Sequence, residues 1–88
     1  MNEEEKQADT QHIQALVEHL SALHSMETME RCLRDLLTPA ELLEISHRLQ
    51  IFHMLDAGQP QRKIAEKLGV AIATVTRGSK AYKKSKQI

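Results

Sequence analysis

The sequence of 88 residues predicts an all-α fold of five helices. Apolar side chains recur at the spacing of amphipathic helices, no segment alternates as a strand does, and a strong helix-start signal stands near the middle of the chain. The single Cys rules out a disulfide framework, and the 2% aromatic content leaves a thin aliphatic core. A core of that kind favours association with a second chain.

An apolar stripe predicts the first helix over about residues 10–24, after an acidic segment over residues 1–9 that we expect to be disordered. The stripe consists of Ile13, Leu16, Val17, Leu20 and Leu23. Ser25 is then the predicted N-cap of a second helix. The apolar positions of that helix are Met29, Cys32, Leu33, Leu36 and Leu37.

The strongest helix-start signal opens the third helix. Thr38 stands at the N-cap, Pro39 at the first helical position and Glu41 three residues after the cap, which together form a capping box. This helix is predicted to continue until Gly58, and its apolar residues cover nearly all of its sides. Two short helices cannot cover so broad a surface, so the sequence predicts a dimer core.

The last two helices form a predicted helix-turn-helix. A short helix from Gln61 to Leu68 is followed by a tight turn at Gly69 and by a second helix from Ile72 to about Lys84. In this motif the first helix crosses the DNA backbone, and the start of the second enters the major groove. The predicted DNA-contacting residues are Gln61, Arg62, Lys63, Ala71, Ile72, Ala73, Thr74, Thr76, Lys80, Lys83 and Lys84.

The zero net charge hides two halves of opposite sign. Residues 1–57 have four basic and eleven acidic side chains, whereas residues 58–88 have eight basic side chains and one acidic, Glu66. This asymmetry favours a polyanion-binding module on an acidic scaffold. We therefore expect a helical dimerisation scaffold over 10–57, a DNA-binding region over 58–84 and a flexible tail over 85–88.

Several other classes of protein are disfavoured. The acidic start and the lack of an apolar run of about 18 residues indicate a cytoplasmic protein without a membrane partner. No two of the five His have the spacing of three or four residues that brings imidazoles together on a helix, so no metal site is expected. The sequence has neither a Gly-rich phosphate loop nor a nucleophile motif, so we expect no enzymatic activity.

Particular strings resemble the bacterial tryptophan (Trp) repressor family. They are Leu37-Thr38-Pro39-Ala40-Glu41, Arg48, Gln61-Arg62 and Ile72-Ala73-Thr74-Val75-Thr76-Arg77-Gly78-Ser79. The resemblance spans roughly residues 11–84, and it is strongest after Leu37. It implies a Trp repressor-like intertwined helical homodimer whose helix-turn-helix heads bind double-stranded operator DNA.

The resemblance also implies a pocket for L-tryptophan as corepressor, between the long helix and the DNA-reading helix. In the family two arginines sandwich the indole ring, and the matching residues here are Arg48 and Arg77. Thr38 occupies the position at the pocket edge, although capping alone also explains it. Gly78 would let the ligand lie against the backbone, or it is simply a tolerated glycine. The implied function is transcriptional repression of operators for tryptophan biosynthesis or transport, with no cofactor besides this corepressor.

Three departures from the family pattern concern the ligand more than the DNA. Ala81 stands where the family has a pocket serine. The connection from Gly58 to Gln61 is one residue shorter, with Pro60 near the position of the usual capping serine, and the sequence ends at Ile88, where the family continues into a final helix. Two alternatives stay open. One is a ligand-independent DNA-binding regulator of the same fold, and the other is a helical protein-interaction module.

Overall fold

The computed structural model describes residues 2–86, and no strand occurs among them. The prediction of an all-α fold is confirmed. Five helices follow one another along the chain: α1 (Glu3–Ser21), α2 (Met26–Leu36), α3 (Pro39–Asp56), α4 (Gln61–Leu68) and α5 (Ile72–Ser85). They form two compact units, an N-terminal one that ends at Thr38 and a C-terminal one that begins at Pro39. None of the described helices is both long and apolar enough to cross a bilayer.

Residues 1–9 were expected to be disordered, but the chain is helical from Glu3. Met1 lies outside the described residues. Asn2 caps the helix: the backbone N–H of Glu5 donates to its Oδ1 at 2.9 Å, and its own N–H donates to the Glu5 carboxylate at 3.3 Å. Three glutamates in the first turn also complement the positive end of the helix dipole. The acidic run is therefore a helix start, and α1 ends at Ser21, before the predicted end at residue 24.

Within the N-terminal unit, α2 begins where the sequence predicted, since Ser25 Oγ accepts a hydrogen bond from the backbone N–H of Thr28 at 3.1 Å. None of the described residues 2–38 is buried. On α1, Ile13 is 62% exposed and Val17 is 54% exposed, although both belong to the predicted apolar stripe. Local interactions form these two helices, and the apolar stripe of α1 lacks a cover.

The core of the molecule lies in the C-terminal unit, where α5 packs against both α3 and α4. It joins Ile51 of α3, Ile64 and Ala65 of α4, and Val75 of α5. Burying each of the three large side chains contributes about 1.5–3 kcal/mol. Because Ile51 packs with α4 and α5, the long helix belongs structurally with the predicted DNA-binding region. The functional division after residue 57 stays a prediction.

Two glycines make the turns on either side of α4. Gly58 follows α3 with φ +79°, and Gly69 ends α4 with φ +67°, so both lie in the left-handed region that glycine adopts most readily. An added Cβ at either position would meet no atom within 4 Å. The backbone conformation, and not a lack of space, favours glycine at both turns.

The C-terminal ends of α3 and α5 are held together by a group that we call the terminal cluster: Phe52, Asp56, Tyr82 and Lys86. The Tyr82 hydroxyl donates a hydrogen bond to Asp56, and Lys86 Nζ lies 3.5 Å from Asp56 Oδ1. The Phe52 and Tyr82 rings pack edge to face, with their centroids 5.6 Å apart. The flexible tail expected over 85–88 does not begin at residue 85, because α5 includes Ser85 and Lys86 is its C-cap; residues 87 and 88 lie outside the described residues.

The terminal cluster shifts two titrations in opposite directions. The hydrogen bond from Tyr82, helped by the charge of Lys86, lowers the pKa of Asp56 below its ordinary value of 3.8. The same hydrogen bond raises the pKa of Tyr82 above its ordinary value of 10.0. Both shifts follow from a bond that needs a protonated phenol and an ionised carboxylate.

Candidate functional site

A cavity of about 420 Å³ lies between α3 and α5. One arginine from each helix lines it, Arg48 from α3 and Arg77 from α5, and Gly78, next to Arg77 in the sequence, lines it too. The structure therefore brings together three of the four residues predicted to bind a ligand. The other lining residues are Glu44, Ile45, His47, Ile51, Val70 and Thr74. The volume is within the range of ligand cavities, and the mixture of apolar and polar walls is typical of them.

The two arginines keep most of their hydrogen-bonding capacity. Arg77 Nη2 donates to Thr74 Oγ1 at 3.4 Å. Within the described part of the chain, no carboxylate pairs with the guanidinium of Arg48 or of Arg77. Each guanidinium has five N–H donors in a planar fork and a face on which an aromatic ring stacks. The cavity wall thus includes two arginines, one on each of the two helices.

Gly78 has a packing reason for lacking a side chain. A Cβ added there would lie 2.9 Å from Cγ2 and 3.2 Å from Cδ1 of Ile51, which is too close unless the Ile51 side chain or one of the two helices shifts. Glycine inside a helix costs about 1 kcal/mol relative to alanine, and the close approach of α5 to α3 accounts for that cost. The role of Gly78 toward a ligand stays a prediction.

The fourth predicted ligand residue, Thr38, is the last residue of the N-terminal unit and directly precedes α3. Its predicted role at a pocket edge stays a prediction. Ala81, where the family resemblance implies a serine, is half-buried on α5 one turn after Arg77. It has no side-chain hydrogen-bonding group that could replace the hydroxyl.

The two faces of α5 have different surroundings. Val75, Gly78 and Ser79 are buried on its inner face. Ile72, Thr76 and Lys80 are exposed at successive turns of its outer face. Spacing by four residues keeps such side chains in one row along a helix. The same helix therefore contributes both to the cavity wall and to an exposed row of side chains.

The first turn of α4 is joined to α5 by a side-chain hydrogen bond. Thr76 Oγ1 donates to Gln61 Oε1 at 3.0 Å. The helix starts themselves lack side-chain caps, because Pro60 and Ala71 stand at the two N-cap positions. Unpaired backbone N–H groups at a helix start favour anions.

Nearly all of the predicted DNA-contacting residues lie at the surface. Gln61 is half-buried, and the exposed ones are Arg62, Lys63, Ala71, Ile72, Ala73, Thr76, Lys80, Lys83 and Lys84. Thr74 differs from these, because it is half-buried, lines the cavity and accepts the hydrogen bond from Arg77. The structure groups Thr74 with the candidate ligand residues.

Sequence patterning missed several residues of the cavity wall. On α3, Glu44, Ile45 and Ile51 lie four, three and three positions from Arg48, which is the spacing of one helix face. That spacing was a signal available in the sequence. Val70 lies in the turn before α5, and no local pattern marks it as part of the cavity wall.

The chain matches known proteins over most of its length. The family model described as Trp repressor protein matches residues 11–87. A Trp operon repressor homolog of Pasteurella multocida is 40% identical over 70 residues, which are 78% of this chain and 69% of the relative. One of Xylella fastidiosa is 33% identical over 70 residues, 78% of this chain and 76% of the relative.

A third relative is more similar over a shorter region. The Trp operon repressor homolog of Photobacterium profundum is 52% identical over 52 residues, which are 58% of this chain and half the length of that relative. No solved structure gives a significant match. Because the family model covers residues 11–87, the chain belongs to the Trp repressor protein family.

Proposed function

We propose that this chain is a sequence-specific DNA-binding transcriptional repressor that acts as a homodimer and uses L-tryptophan as corepressor. The observation that carries the proposal is the double role of α5. Arg77 and Gly78 of α5 line a cavity together with Arg48 of α3, and Ile72 and Thr76 are exposed on another side of α5. A ligand in that cavity would contact the helix that reads DNA.

The DNA-binding part of the proposal uses α4 and α5 as a helix-turn-helix. α4 crosses the phosphate backbone, with Arg62 and Lys63 near phosphates, and the first half of α5 enters the major groove. Small side chains such as Ala73 allow the helix to approach base edges closely, and Ile72 offers an apolar contact for a thymine methyl group. The predicted phosphate contacts along the rest of α5 are Lys80, Lys83 and Lys84.

The ligand part of the proposal uses the two cavity arginines. Arg48 and Arg77 stack on the two faces of the indole, and one guanidinium also pairs with the ligand carboxylate. The walls supplied by Ile45 and Val70 suit the apolar ring. The ligand strengthens DNA binding to the extent that it binds better to the orientation of α5 that fits the groove.

The dimer part of the proposal would bury apolar side chains that are exposed in the single chain. On α3, Leu43, Ile45 and Leu49 are each more than half exposed, as are Ile13 and Val17 of α1. A second copy of the chain, with the same need for cover, is the proposed partner. A two-fold dimer would present two copies of α5 to successive major grooves about 34 Å apart. The names of the relatives support operators of tryptophan metabolism, and the proposed role is regulatory, not enzymatic, in the cytoplasm.

One observation favours a second candidate, a ligand-independent regulator of the same fold. Ile51, Ile64 and Val75 already fix α5 against α3 and α4 by burial. A head ordered in this way would bind DNA without a ligand.

Selection of preferred duplexes from a random pool, with and without millimolar L-tryptophan, tests both candidates. We expect a sequence of two half-sites to be enriched when the ligand is present. Equal enrichment in both arms would favour the ligand-independent regulator. Absence of salt-dependent binding to any duplex at low salt would contradict both, because neutralised phosphates make affinity fall steeply with salt.

A further inference from the structure

The residues that line the cavity between α3 and α5 include one glutamate as well as two arginines. Glu44 and Arg48 lie four residues apart on α3, and both line the cavity. A glutamate four residues before an arginine on a helix commonly forms an ion pair. Within residues 2–86, however, Glu44 has no ion-pair partner.

Two other pairs in the same chain provide a matched comparison. Glu27 with Arg31, and Glu30 with Arg34, have the same order and spacing on α2. They form ion pairs at 3.5 Å and 2.9 Å. The Glu44 carboxylate and the Arg48 guanidinium differ from them in remaining separate on the cavity wall. Both groups are therefore available to a third partner.

The chemistry of the walls limits what that partner can be. Arg48 and Arg77 can only donate hydrogen bonds, so they can hold a carboxylate or stack on a ring but cannot hold an ammonium group. Thr74 Oγ1 already accepts from Arg77. Glu44 is the only acidic side chain among the lining residues. A ligand with both charges fits this arrangement better than one with a carboxylate alone.

We propose that Glu44 binds the ammonium group of the ligand, so that the cavity selects a zwitterionic aromatic amino acid over the same molecule without its amino group. This inference rests on the proposed function of the cavity as a ligand site.

The expected effect is moderate, because the Glu44 side chain is exposed and water screens its charge. A charge-assisted hydrogen bond at an exposed site corresponds to about a three- to tenfold change in affinity. An effect of this size is measurable by titration calorimetry at low ionic strength.

Three ligands separate the two charges: L-tryptophan has both, tryptamine has only the ammonium group, and indole-3-propionate has only the carboxylate. Titrations would compare the unmodified chain with Glu44→Gln. We expect the variant to bind L-tryptophan and tryptamine about three- to tenfold more weakly. Indole-3-propionate should bind equally well or more tightly, because a repulsive charge is removed.

Glu66→Gln on α4 is the matched control, since Glu66 is exposed and does not line the cavity. It removes the same charge from the same unit and should leave all three affinities unchanged. If Glu44→Gln changes the three affinities equally, or changes none, the assignment of Glu44 is wrong while the ligand site stands. If the unmodified chain binds none of the three ligands, the proposed ligand site fails, and the assignment of Glu44 fails with it.

Discussion

The two units of this chain are both helical, but only one of them contains a core. The C-terminal unit buries Ile51, Ile64 and Val75 to 1% exposure or less. The described part of the N-terminal unit buries none of its residues, although the apolar stripe of α1 has the spacing of a core-facing helix. An amphipathic pattern therefore indicates that a helix face needs cover, but it does not say which molecule supplies the cover.

The difference has an energetic consequence. Isolated helices of fewer than about 12–15 residues are marginal in water, and most helical stability in proteins comes from packing of an apolar face. α2 has 11 residues and two exposed ion pairs, each worth about 0.3–0.5 kcal/mol. In the proposed dimer, contacts between two copies of the chain would supply packing for the N-terminal unit, whereas the C-terminal unit has a core of its own.

The largest expected effect comes from breaking the proposed dimer. Val17→Asp places a charge on the uncovered stripe of α1, and burial of that charge between two copies should weaken association at least about a hundredfold. Sedimentation equilibrium measures the change. Gln11→Asp, on the opposite face of α1, is the matched control and should leave association unchanged. An unmodified chain that is monomeric at all concentrations would contradict the dimer.

The next effect tests the core of the C-terminal unit. Ile64→Ala should lower the free energy of unfolding by about 2–5 kcal/mol, because it leaves a cavity among fully buried side chains. Ile72→Ala, at a position that is 51% exposed, should lower it by less than about 1 kcal/mol. Urea denaturation compares the two variants. Equal losses would mean that α4 and α5 do not pack as described.

A smaller effect tests the close approach of α5 to α3. In Gly78→Ala, the collision of the added methyl group with Ile51 should lower the free energy of unfolding by about 1–3 kcal/mol. The higher helix propensity of alanine should offset about 1 kcal/mol of that loss. In a background with Ile51→Ala the added methyl group has space, so the same change should become neutral or stabilising. A double-mutant cycle with no coupling between the two positions would contradict this packing.

These positions show what sequence patterning could and could not supply. The starts of α2, α3 and α4 depend on local signals such as Ser25 and Pro39, and the structure has them where the sequence predicted them. The role of Thr74 in the cavity wall depends on how closely α5 approaches α3, and no local pattern encodes that distance. For the same reason, no local pattern shows that Gly78 lies against Ile51.

The start of α1 was missed for a different reason. Asn2 and Glu5 form a capping box from residue types that the sequence displays, and the three consecutive glutamates form the first helical turn, where the sequence analysis expects a disordered acidic segment. Acidic side chains stabilise the N-terminal end of the helix dipole, so the same glutamates favour a helix start at this position. The information was local, and its interpretation was wrong.

The smallest effect concerns the terminal cluster. The lowered pKa of Asp56 adds stability that is present above its ordinary pKa of 3.8 and is lost as the pH falls through the folded-state value. Tyr82→Phe removes the main cause of that shift, so the pKa of Asp56 should rise and the acid-side loss of stability should become shallower. Carboxyl-carbon NMR titration measures the pKa. Ser85→Ala, nearby on α5, is the control, and an unchanged pKa of Asp56 in Tyr82→Phe would contradict the hydrogen bond.

The central claim is that α5 couples the ligand cavity to the DNA-binding face. Its most direct test is the affinity for one selected duplex, measured by fluorescence anisotropy with and without saturating L-tryptophan, in the unmodified chain and in Arg48→Ala. Arg48 lies on α3, across the cavity from α5, so its removal should affect the ligand and not the DNA contacts. We predict that the ligand raises affinity about five- to a hundredfold in the unmodified chain and less than about twofold in Arg48→Ala. Equal affinity with and without ligand in the unmodified chain, or a full response in Arg48→Ala, would contradict the coupling.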